Sequence, residues 1–278
     1  MGFGKKLVDV LSQVRSRWLA ASQIEGRTGK YARSVQAEEF EQFVYPPYGI
    51  PLAEAYEGRF EAVFVILHPF IRVPEHLAWS AMRRYPTDVE IVAQGSDCTW
   101  MEVGQETGLN SCARVNQALL TATGSLTGDL ADTDGKNAMR RFLQLHPIWM
   151  PAQGRFEPLL QGNLLRVFSA SGCDCVVHVP EFPEREPAVR LPLADLQDCR
   201  SPFPTGGTLL AEDLSFLFTV DWDSFFTLFY GSRSFVLQMA RELHLEGFLA
   251  TGNTDHAWFN YSMGCATVTL SPEHWQTV

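Results

Sequence analysis

The chain has 278 residues, 46% hydrophobic and 12% aromatic, which is ample for a packed core and excludes a disordered polar chain. Its 22 basic and 32 acidic residues leave a formal charge of −10, which disfavours nucleic acid and anionic membrane surfaces and suits a basic partner. No run of about 18 apolar residues is present to span a bilayer, and the N-terminus lacks a secretory pattern, so a cytoplasmic protein is expected.

Taken in chain order, Lys5 to Gln23 carries Leu7, Val8, Leu11, Val14, Trp18 and Leu19 on one helical face, an amphipathic helix expected to pack on its own domain. Gly26 to Ser34 reads as a loop, and Ala37 to Val44 as a short helix stopped by Pro46 and Pro47. The apolar run Ala62 to Leu67 suits a strand covered on both faces, ending at His68. His76 to Tyr85 is expected as a helix and Val89 to Ala93 as the next strand.

Cys112 to Thr123 reads as a helix, followed by a loop rich in Gly, Thr and Asp, with Asp132 or Asp134 capping a helix Ala138 to Leu145. The cluster Asp129, Asp132, Asp134 and Gly135 fails the spacing of an EF-hand loop, because no Glu closes it. Leu159 to Ser169 and Cys175 to Val179 are expected to be extended or mixed. Residues 180–204 hold six prolines and read as a surface connection between two halves.

The clearest local pattern is Leu214 to Phe259. Leu214, Phe216, Phe218 and Val220 alternate as in a strand, and Asp221, Trp222, Asp223 and Ser224 follow as candidate caps of a short helix Phe225 to Tyr230, stopped by Gly231. Ser232 or Ser234 caps a second helix with the stripe Phe235, Val236, Met239, Ala240 and Leu243, ended by a left-handed Gly247. Phe248 and Leu249, with Ala257 to Tyr261, then read as two strands of a hairpin.

Three sets of residues carry candidate chemistry. Cys173, Cys175 and His178 are close in sequence but lack a fourth ligand for zinc and the glycine pattern of an oxyanion hole, so structural cysteines are the simpler reading; most of the six cysteines, Cys98, Cys112, Cys173, Cys175, Cys199 and Cys265, are expected to be reduced and buried. Asp221 and Asp223 can share a metal or divide acid and base roles if they lie on one strand, and are caps if a helix starts there; caps are the favoured reading. Asp255 and His256, beside Trp258, form a polar pair that could polarise a water or meet a partner. No P-loop, dinucleotide fingerprint, nucleophile elbow or zincin helix is present.

The stretch VDWDSFFTLFYG, the EGF that follows the second helix, and TGNTDHAWF resemble uncharacterised bacterial domain families, some of them found beside polymorphic toxins as immunity proteins. The resemblance implies an acidic cytoplasmic protein that binds a secreted toxin's basic catalytic domain and blocks its active site.

The expected architecture is α+β, or mixed α/β, with a central sheet flanked by helices in a single domain spanning 1–278; two lobes, 1–179 and 205–278, joined by 180–204 are the alternative. The expected function is inhibitory protein binding through Asp221, Trp222, Asp223, Asp255, His256 and Trp258, with no catalytic residue, metal, cofactor, nucleic acid or membrane. The rival is a hydrolase-like enzyme using Cys173 and His178, or Asp221, Asp223 and His256. A third reading is a regulatory subunit that docks through its N-terminal helix.

Overall fold

The computed structural model describes residues 33–34, 40–78, 84–183 and 185–258. The N-terminal amphipathic helix, the second hairpin strand beyond Trp258, most of the helix expected at His76 to Tyr85, and Cys265 lie outside the described residues.

Two antiparallel sheets form. The larger contains β1 (Arg33–Ser34), β2 (Ala62–Leu67), β6 (Cys175–Val179), β7 (Val189–Pro192), β8 (Gly207–Ala211), β9 (Leu217–Val220), β10 (Phe226–Gly231) and β11 (Gly247–Leu249), ordered β1-β7-β6-β8-β9-β10-β2-β11. The smaller has β3 (Phe70–Arg72) between β4 (Ser96–Cys98) and β5 (Ile148–Trp149). Every pairing is antiparallel.

Helices cover both faces of the large sheet, so its strands read as apolar runs rather than as alternating ones. On β2, Val63, Val65 and Leu67 face one core with α3 (Trp100–Thr107), α4 (Cys112–Thr123) and α5 (Thr133–Leu145). Phe64 and Ile66 face the other, with α6 (Pro158–Ala170), α7 (Leu193–Gln197) and α8 (Arg233–Glu242). The two remaining helices are α1 (Glu75–Ala78) and α2 (Asp88–Gln94). This is one α+β domain, because β2 pairs with β10 and β11 from the far end of the chain.

Several expectations are corrected. Phe225 to Tyr230 is not a helix: the segment is β10, six buried positions held between β9 and β2, where aromatic side chains pack on both faces. Val89 to Ala93 is helical because Thr87 and Glu90 form a reciprocal capping box. Leu159 to Ser169 lies in α6, which opens with Pro158 in its first turn. The proline-rich segment 180–204 supplies β7 and α7 to the fold rather than wandering over it. Arg33 and Ser34, expected in a loop, pair with β7.

Ser232 does cap α8, accepting from the Phe235 N–H. The left-handed residue after it is His244, at φ 50°, whereas Gly247 begins β11 at a point where a β-carbon would collide with the Val65 carbonyl. β11 pairs with β2, and residues 251–258 form turns rather than a hairpin arm. His68 is a core residue, fully buried with Nε2 2.8 Å from the Thr227 hydroxyl, and burial pushes its imidazole down to about 3. No helix among the described residues is long and apolar enough to cross a membrane.

Candidate functional site

The site is built on the turn between β9 and β10. Because β10 is a strand, Asp221 and Asp223 cap no helix; they flank Trp222 in a tight connection whose backbone is held from within and from outside. Ser224 Oγ donates to the Asp221 and Phe226 carbonyls, each at 3.0 Å, and its N–H to the Asp221 carbonyl at 3.1 Å. From outside, Gln153 Nε2 donates to the Asp223 carbonyl at 2.7 Å, and the Gly154 N–H to the Ser224 carbonyl at 2.9 Å. Gly154 adopts φ +73°, and a β-carbon there would strike the Trp222 carbonyl, so only glycine permits this approach.

His256 reaches the turn from the 251–258 segment. That segment is tied to itself by Thr251 N–H to Thr254 Oγ1 at 2.9 Å, and to residues 45–52 by Leu52 N–H to the Thr254 carbonyl at 2.7 Å. Pro46 and Pro47 keep the chain between Tyr45 and Tyr48 from turning helical, so both tyrosines reach the same place. Tyr48 donates its hydroxyl to Asp221 Oδ2 at 2.5 Å, and the Tyr45 hydroxyl lies 2.9 Å from His256 Nδ1.

Asp221, Asp223 and His256 each place one potential ligand atom within 4.8 Å of the others, the sole such group of three or more His, Cys, Asp or Glu among the described residues. His256 Nε2 is 3.8 Å from Asp221 Oδ2. The imidazole sits among rings, with centroids 4.1 Å from Tyr48, 5.7 Å from Tyr45 and 6.2 Å from Phe226.

These surroundings set the protonation states. Burial is the main cause that pushes His256 down to about 4, partly opposed by the carboxylates of Asp223 and Asp255, so the imidazole is neutral at pH 7. Burial, then the adjoining Asp223 carboxyl, lifts Asp221 to about 7, while the Tyr48 hydrogen bond pulls the other way. Both tyrosine hydroxyls are held above their ordinary value, chiefly by burial, and remain donors at neutral pH.

Beside the cluster lies a cavity of about 140 Å³ lined by Asn116, Leu120, Ser125, Leu126, Asp223, Ser224, Phe226 and His256. Asn116, on α4, is fully buried, and among the described residues neither its amide oxygen nor its amide nitrogen has a hydrogen-bond partner. Leaving each such group unmet costs about 1–3 kcal/mol, so the carboxamide is a feature that a polar occupant would satisfy.

The other predicted site residues are placed as follows. Trp222 is 62% exposed between the two aspartates, and Trp258 is buried in the core against Phe226 and Phe248. Asp255 is half-buried and outside the three-residue cluster. His178 Nε2 lies 2.9 Å from the Gly206 carbonyl, and the Cys173 and Cys175 thiols are raised, first by burial and then by nearby carboxylates, which keeps them from becoming nucleophilic thiolates. Of the five described cysteines, all are free; Cys98 and Cys112 are buried, and Cys173, Cys175 and Cys199 are half-buried.

A family model described as "Protein of unknown function (DUF2711)" matches residues 48–260. The chain belongs to this family. The DUF2711 match takes in Tyr48, Asn116, Asp221, Asp223 and His256, and begins just after Tyr45. "Uncharacterized protein YwbB" of Bacillus subtilis (strain 168) is 21% identical over 216 residues, covering 75% of this chain and 95% of that protein. No solved structure matches. The resemblance to an uncharacterised bacterial domain family therefore stands at the level of the family.

Proposed function

We propose that this chain is an enzyme of hydrolytic type, acting on a small polar molecule in the cavity beside Asp221, Asp223 and His256. The observation that carries the reading is the gathering of these three side chains within 4.8 Å of one another, with Asp223 and His256 lining the cavity and His256 held neutral among aromatic rings. Lone pairs this close together can accept both hydrogens of one water and leave its oxygen facing the cavity. Attack there forms a bond from the water oxygen to a carbonyl or phosphoryl centre; the water's proton passes to a carboxylate of the cluster, the bond to the leaving group breaks, and the leaving group takes up that proton. Asn116 would hold the substrate by its free carboxamide, and the Tyr48 hydroxyl keeps Asp221 in place.

The test is turnover of a panel of small esters, amides and phosphomonoesters by the wild-type protein and by Asp223→Asn, whose side chain is partly exposed and whose fold is checked by circular dichroism. A hydrolysed class whose kcat/KM falls at least 100-fold in the variant is expected, in keeping with loss of one acid–base group. Equal turnover by both proteins would remove the cluster from the chemistry.

Inhibitory binding of a basic toxin domain is the second reading, favoured by one observation, the exposed Trp222 between two carboxylates on a chain of charge −10. Trp222→Ala would then weaken capture of that toxin domain while leaving hydrolysis of the panel unchanged.

A further inference from the structure

We propose that Asp221, Asp223 and His256 form a three-ligand site for a divalent transition-metal cation of the Mn2+ or Zn2+ type, with its open coordination position turned to the adjoining cavity. This rests on the catalytic reading of the same cluster and deepens it: the three side chains would hold the ion, and the ion, in place of their lone pairs, would hold and polarise the water.

Four observations carry it. The first is geometric: two ligand atoms bound at 2.0–2.2 Å to one ion lie about 3–4 Å apart, and His256 Nε2 and Asp221 Oδ2 are 3.8 Å apart, with Asp223 inside the same 4.8 Å group. A mixed set of two carboxylates and one imidazole suits ions between the hard and the soft, and three protein ligands leave positions for water or substrate.

The second is the support behind the ligands. A metal-bound imidazole needs its other nitrogen fixed, and Tyr45 holds Nδ1 at 2.9 Å; once Nε2 binds the ion, Nδ1–H donates to the tyrosine oxygen. Tyr48 fixes Asp221 by donating to Oδ2 at 2.5 Å, the same oxygen that lies 3.8 Å from His256 Nε2, whose further lone pair is left for the ion.

The third is charge. Among the described residues no Lys or Arg pairs with Asp221 or Asp223, although most of the other ion pairs in the fold join an arginine to an acid. A cation answers what the chain leaves unbalanced.

The fourth observation concerns a ligand rather than the cluster itself. Asn116 is among the residues around the cavity shared with Asp223 and His256, and among the described residues neither atom of its fully buried carboxamide has a hydrogen-bond partner. A water or substrate bound to the ion from the cavity side would have that amide to meet.

The experiment is calorimetric titration of the EDTA-stripped, full-length protein with MnCl2 and with ZnCl2, repeated on Asp223→Asn and His256→Gln, with Asp129→Asn in the unrelated acidic loop as the control. Binding that saturates at one equivalent, weakened at least tenfold in both site variants and unchanged in the control, is expected. Absence of binding, or binding undiminished in both site variants, would show an adventitious ion only and overturn the inference. Should a variant fail to fold, the electron paramagnetic resonance spectrum of one equivalent of Mn2+ with the wild-type protein decides: a bound spectrum that Zn2+ displaces supports the site, and the free aquo spectrum contradicts it. Turnover that persists in the stripped protein without bound cation would remove the metal and keep the enzyme; one bound cation without any turnover would do the reverse.

Discussion

Glu157 shows what a single buried group does to this protein. It is fully buried at the start of α6, one carboxylate oxygen accepts from the Ala152 N–H at 3.2 Å, and burial lifts it to about 8. Against an unfolded value of about 4.3, the native state keeps a proton that the unfolded chain releases; the stability this gives is full at low pH and is lost as pH rises through about 8. Glu157→Gln removes that loss. It is expected to be more stable than wild type at pH 9, by on the order of 2 kcal/mol, with the difference closing near pH 4, as read from urea unfolding at both pH values. No gain at pH 9 would mean that the carboxylate is better solvated than its burial implies. At the same scale Asp221, Asp223 and His256 were legible as candidates, because their chemistry is visible residue by residue. Tyr45, Tyr48 and Asn116 were not. Tyr45 stands 211 positions from the histidine that it touches, and a lone Asn inside an amphipathic helix carries no local sign that it will be buried beside a cavity.

At the scale of elements, the candidate site depends on one loop gripping one turn. The Gly154 backbone lies against Trp222 in a conformation that side chains rarely adopt, and the neighbouring Gln153 holds the Asp223 carbonyl. Gly154→Ala must change that φ or push the turn away, so a loss of about 1–3 kcal/mol is expected in urea unfolding, together with loss of whatever ligand or activity the cluster supports. An alanine variant within about 0.5 kcal/mol of wild type would mean that the clamp is loose. The strand β2 and the helices α4 and α8 were readable because burial, period and caps agree in each. β10 was misread as a helix because the acids before it look like caps and its aromatics suit either element; pairing with β2, more than 150 residues away in sequence, decides the matter, and no local window contains it. The opposite happened at α2, where Thr87 and Glu90 spell a capping box that outweighs the apolar residues read as a strand.

For the whole molecule, the antiparallel sheet is what joins distant sequence into a site. The β9 to β10 turn lies at the Leu67 end of β2, whereas the chain enters β2 at Ala62 and leaves β11 beside Phe64; residues 45–52 and 251–258 nevertheless come to that turn, where Tyr48 and His256 meet Asp221, and α4 borders the cavity from the helical layer. Composition foretold a packed core and the mix of strand and helix patterns an α+β domain, and the family match leaves the chemistry to the geometry. The account stands on His256 being gathered with Asp221 into a water-poor aromatic setting. The measurement that tests this most directly is the titration of the His256 imidazole by nitrogen-correlated NMR in the metal-free protein, assigned with His256→Gln. Burial is expected to keep it neutral down to about 4, so that its nitrogens show no protonation step between pH 8 and pH 5 beyond the small shift imposed by the neighbouring Asp221 carboxyl as it titrates near 7. A titration near 6.5, the value of a solvated histidine, would place His256 in water and dissolve the cluster on which the proposed chemistry rests.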